Sequence, residues 1–108
     1  MMSADAIIRS AVDRMGTAFD LAEVDEALSA ESLLAAVRAQ LVDRIIYLLN
    51  TNPERLMAIL YRIDVSESRV NEIFSTALPP DMPERLADLV IERQLAKAET
   101  RARFKEQG

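Results

Sequence analysis

The chain has no cysteine and no histidine. The first absence rules out disulfides and thiol chemistry. The second removes the commonest general base and metal ligand, so Ser-His and Cys-His catalysis and most zinc sites are excluded. Tryptophan is also missing, and two glycines and four prolines across 108 residues leave little material for the turns of a sheet. No apolar run approaches the roughly 20 residues of a membrane-spanning helix. The start, Met1-Met2-Ser3-Ala4-Asp5, brings an acid too early for a secretory leader. These features predict a cytoplasmic protein without a membrane association. A net charge of -5 argues against general affinity for nucleic acid or anionic lipid.

Half of the residues are hydrophobic, and Ala, Leu, Arg and Glu are abundant, a composition that favours helix. The expected fold is all-α: one domain forming a compact bundle of five or six helices with a long C-terminal helix. Within it, residues 1–28 are expected to form an N-terminal helical extension and residues 29–108 a core bundle.

The densest signal lies at Asn52-Pro53-Glu54. Asn offers a capping oxygen, Pro lacks the amide that a first turn leaves unpaired, and Glu suits the positive helix end. Leu56, Ile59, Leu60 and Ile63 then recur at helical spacing, widened by Met57 and Tyr61. Asp64-Val65-Ser66-Glu67 has capping-box spacing and predicts a second helix with Asp64 as its cap.

The rest of the chain reads in order around this pair. Ala4, Ile7, Ile8, Ala11, Val12 and Met15 predict a helix over residues 3–15 that ends near Gly16, the only internal glycine. Asp20 and Glu23, with Phe19 placed to staple Val24, predict a short second helix. Ser29 opens a third, apolar around most of its circumference and ending at Asn50-Thr51. After the central pair, Val70, Ile73, Phe74, Ala77 and Leu78 supply the inner face of a helix that Pro79-Pro80 stops. Asp81 and Glu84, with Pro83 between them, start the last helix, expected over residues 83–106 at about 36 Å long. Its second half overshoots its neighbours and carries Leu95, Ala98 and Ala102 at close-packing spacing.

The run Leu56-Met57-Ala58-Ile59-Leu60-Tyr61-Arg62-Ile63-Asp64-Val65-Ser66-Glu67, preceded by Tyr47-Leu48-Leu49-Asn50 and followed by Ala87-Asp88-Leu89-Val90-Ile91-Glu92-Arg93-Gln94, resembles a group of short, uncharacterised all-α bacterial proteins. The likeness covers residues 40–104, and it implies a bacterial helical protein without implying an activity, cofactor or partner.

Candidate sites are few. Tyr61, Arg62, Asp64 and Glu92 form an expected polar cluster of structural character, with Arg62 reaching Glu92 or Asp88. Tyr47 and Tyr61 are expected in the core, each with a satisfied hydroxyl. The acids Asp20, Glu23, Asp25, Glu26 and Glu31 lack the spacing and glycine of a calcium loop, so a solvated face is the expected reading. Arg93, Lys97 and Arg101 share a helix face with Arg103 and Lys105 nearby, but no aromatic interleaves them, which makes a nucleic-acid surface the weaker reading. No catalytic, metal or cofactor residue emerges. The expected function is a non-enzymatic protein-protein interaction or assembly module, a homo-oligomer with a dimer favoured, using Leu95, Ala98, Arg101 and Ala102 and a protein partner the sequence does not identify. The alternative is a nucleic-acid-associated regulator using the basic C-terminal helix.

Overall fold

A computed structural model describes residues 3–78 and 80–107, with side chains as far as Phe104. Its described residues form five helices, α1 (Ala4–Phe19), α2 (Ala30–Thr51), α3 (Pro53–Arg62), α4 (Glu67–Thr76) and α5 (Met82–Gln107). The all-α expectation holds, as does the long last helix.

Ser3 caps α1 by accepting from the Ala6 amide at 3.1 Å. The helix does not stop at Gly16 but continues to Phe19, where Asp20 turns the chain in the left-handed region at φ 54°. The reason is packing. A glycine inside a helix costs only about 1 kcal/mol relative to Ala, whereas burying a Phe contributes about 1.5–3 kcal/mol. Ala11, Met15 and Phe19, at i, i+4, i+8, are all buried on one face. Asp20 therefore ends one helix instead of starting another, and Phe19 is a core residue, not a staple.

The short helix expected after Asp20 does not form. Residues 21–25 have no regular structure, yet Leu21 and Val24 pack against the core. Arg9 holds this connection down by donating to the carbonyls of Glu26 at 3.2 Å and Leu28 at 2.8 Å. Asp25 adds a side-chain turn by accepting from the Ala27 amide at 2.9 Å.

Ser29 caps α2 through the Ser32 amide at 3.2 Å. Leu33, Val37, Leu41, Ile45 and Leu48 form its buried ridge, and α2 packs on α1, α3 and α5. Its apolar circumference is only partly used, because Ile46 and Tyr47 face solvent. Asn52 then serves two helices: its amide donates to Leu48 at 2.8 Å, and its side chain accepts from the Arg55 amide at 3.1 Å.

α4 buries Val70 and Ile73, whereas Phe74 and Leu78 of the expected inner face are exposed. The helix ends at Thr76, ahead of the proline pair, and Pro79 lies outside the described residues. α5 starts at Met82 and its 26 residues correspond to about 39 Å, close to the molecule's longest dimension of 40 Å. The radius of gyration, 14.2 Å, exceeds the roughly 13 Å of an average chain of this size because α5 elongates the bundle.

Core residues of α1 and α5 belong to one buried cluster with those of α2, α3 and α4. The N-terminal helix is thus a wall of the core and not an extension laid upon it.

Candidate functional site

The corner between α3 and α4 is built by local chemistry and locked by α5. Asp64 adopts φ 63°, a conformation that Asp tolerates better than most residues because its short side chain bonds locally. This lets Val65 turn inward, its amide donating to Leu60 at 3.1 Å, and Val65 is buried. The cap of α4 consequently falls to Ser66, which accepts from the Arg69 amide at 3.4 Å. Asp64 has a different task. Its carbonyl accepts from Arg93 Nε at 3.0 Å and its carboxylate from Arg93 Nη2 at 2.7 Å. The next residue on α5, Gln94, is buried and donates through Nε2 to the Ile63 carbonyl at 3.0 Å.

Beside this clamp lies a shallow depression of about 380 Å³, lined by Asp64, Ser66, Arg69, Leu89, Glu92, Arg93 and Ala96. Arg69 and Glu92 face each other across it as a two-bond pair, at 3.1 and 3.3 Å. Hydrogen bonding from Arg93, reinforced by the charges of Arg93 and Lys97, holds the Asp64 carboxyl below its ordinary range. Two acids and two bases thus neutralise one another. Ser66 is engaged as a cap and with Ser68 at 3.1 Å.

Of the expected polar cluster, the structure brings Asp64 and Glu92 to this depression and leaves Tyr61 and Arg62 exposed outside its lining. Arg62 is not the partner of Glu92 or Asp88: Arg69 takes Glu92, and Arg38 of α2 takes Asp88 at 2.8 Å. Tyr47 and Tyr61 are not core residues, being 55% and 59% exposed. Tyr47 lies under the Arg44 guanidinium, 5.3 Å from the ring centre. Arg69 and Gln94 were not among the expected site residues. The first pairs across 23 residues of sequence and the second across 31, distances at which no local pattern operates.

The second half of α5 is covered within the chain. Ala98 and Ala102 are buried and Leu95 is half-buried, and α5 packs along α1. The small side chains expected to meet another molecule are instead buried within the chain itself. Arg101 lies at this seam, where burial, and then the nearby positive charge of Arg14 on α1, pull its pKa down. Its Nη2 is buried with no hydrogen-bond partner among the described residues. Arg93 is tied to Asp64 and Arg103 to Glu99, the latter at 2.6 Å, so two of the five bases from Arg93 onward on this helix are already paired.

The larger concavity is an open groove of about 740 Å³ between α1, the connection after it, and α2. Val12, Leu21, Val24, Leu33 and Val37 provide apolar lining, and Gly16 contributes a side without a side chain. Asp13, Glu23 and Glu26 bring acid to the lining, against the single base Arg9. Part of the expected solvated acidic face therefore borders a groove of mixed polar and apolar lining. Among the described residues no group of three or more acids is placed to hold a metal ion, and no helix is long and apolar enough to cross a membrane.

No family model, curated protein or solved structure matches the chain. Among the described residues the fold is all-helical, with a self-neutralised charged corner and a groove lined by acidic and apolar side chains.

Proposed function

We propose that the chain is a non-enzymatic protein-protein interaction module, acting in the cytoplasm as a homo-oligomer with a dimer as the favoured form. One observation carries this reading, the open groove in which apolar side chains such as Leu21 and Val24 alternate with Asp13, Glu23 and Glu26, a shape suited to a helix or short segment of another chain rather than to an enclosed small molecule. The seam of Leu95, Ala98, Arg101 and Ala102 does not support it, since Ala98 and Ala102 are buried within the chain. The nucleic-acid alternative is the weaker one, because Arg93 and Arg103 are engaged with acids and Arg101 is partly buried.

Sedimentation equilibrium on the full chain tests the proposal. A reversible dimer at tens of micromolar is the expected result. A compact monomer throughout that range would overturn self-association as its mode of action.

A further inference from the structure

We infer that α4 is a strap that undocks from α5 as one unit while the other helices stay folded, baring an apolar strip of α5 at Leu89. This opening does not depend on the self-association proposed above.

Little of α4 lies inside. Of its ten residues Val70 and Ile73 are buried, and the other eight, Phe74 included, are exposed. The equally long α3 buries Leu56, Ile59 and Leu60 and runs straight into the buried Ile63. A helix shorter than about 12–15 residues is marginal by itself in water, so α4 is held by its packing. That packing is one turn deep, because Val70 and Ile73 stand on successive turns of one face.

The polar ties are equally thin. α4 packs chiefly on α5, and the side-chain bond joining the two helices is the Arg69–Glu92 pair, with side chains 54% and 64% exposed. An ion pair this open to water contributes little against undocking. Ser75 and Thr76 donate to the Asn71 and Glu72 carbonyls within α4 itself, so those bonds travel with the helix.

The ends are fixed where the middle is not. Before α4, Val65 is buried, and Arg93 and Gln94 of α5 clamp Asp64 and Ile63. After it, Ala77 takes extended backbone and packs against the core. The intervening helix is thus a strap between two anchors. Leu89 precedes Glu92 and Arg93 by three and four residues, which puts it on the α5 face that meets Arg69 and Asp64. It is buried and borders the same depression as Arg69, so lifting α4 opens it to water. Segments with few buried contacts open at a lower free energy than the whole molecule unfolds.

Native-state hydrogen exchange on the full chain, followed through low concentrations of denaturant, reads this opening. The helical amides from Val70 to Ala77 should exchange at least about tenfold faster than those of Leu41 and Ile45 on α2, and with a shallower dependence on denaturant. Because the chain has no cysteine, Arg69→Cys and Glu92→Cys in one chain can be joined by a short bis-maleimide. The tether should slow exchange in α4 by at least about tenfold relative to the same variant unjoined. A thiol at Leu89→Cys should be labelled at least about tenfold faster than one at Leu41→Cys. Equal protection and equal denaturant dependence in α4 and α2 would make the bundle one cooperative unit and overturn the inference. So would fast exchange in α4 that persists after tethering, which is fraying in place, or labelling of Leu89→Cys no faster than Leu41→Cys.

Discussion

Gln94 and Leu60 show two ways in which one side chain holds the α3–α4 corner. Leu60 is buried on α3, and truncation to Ala should cost about 2–5 kcal/mol through lost contacts and the cavity left behind. Gln94→Leu keeps most of the volume but strands the Ile63 carbonyl, which should cost about 1–3 kcal/mol. Denaturant melts of the two variants check both, and a neutral Gln94→Leu would mean that water replaces the amide. Asp64 offers a pH reading of the same corner. Its carboxyl titrates below the ordinary value of 3.8, first because of the Arg93 hydrogen bond and then because of the Arg93 and Lys97 charges. A depressed folded-state pKa contributes stability that is fully present above the ordinary value and is lost as pH falls through the folded one. The contribution is therefore constant at neutral pH and disappears only in acid. Carboxyl carbon NMR should show the Asp64 midpoint rising in Arg93→Ala, and an unmoved midpoint would remove Arg93 as the cause. Since the Asp64 side chain is largely exposed and that of Arg93 partly so, the pair orients more than it stabilises.

At the scale of the element, α1 shows how packing overrides a helix-ending residue. Gly16 has ordinary backbone geometry, and a Cβ added there meets nothing within 4 Å. Gly16→Ala should therefore stabilise the fold by about 0.5–1 kcal/mol, chiefly by restricting the unfolded chain. A destabilised variant in thermal melts would show that the groove needs the bare backbone. Caps that work within three residues were legible in the sequence: Ser29 and Asn52 stand where the local pattern put them. Asp64 and Asp20 were misread because the same pattern, an acid with Glu three residues on, also fits a residue that turns the chain at positive φ. Which of the two applies is decided by the neighbour that enters the core, Val65 after Asp64 and Phe19 before Asp20.

For the molecule as a whole, the question is whether residues 29–108 stand alone. Phe19, Met15 and Ala11 are buried together with Leu33, Val37 and Ala98 in one cluster, so removing residues 1–28 uncovers apolar surface on α2 and along α5. The fragment 29–108 should lose its cooperative thermal transition or associate through the exposed faces, as followed by circular dichroism and light scattering. A monomeric fragment that melts cooperatively near the temperature of the full chain would restore the N-terminal segment to the status of an extension. The same burial reassigns Leu95, Ala98 and Ala102 from an outer surface to an inner one.

By itself the sequence determined the helical class, four of the five helices to within a few residues, the caps at Ser29 and Asn52, and the exclusion of histidine and cysteine chemistry. Each depends on composition or on contacts a few residues apart, where the covalent chain already fixes the neighbourhood. Only the tertiary structure decided that α1 passes Gly16, that Arg69 and not Arg62 meets Glu92, that Gln94 reaches Ile63, and that the acidic stretch borders a groove. Those outcomes depend on which helix lies beside which, and an apolar stripe states that a face must be covered without stating by what.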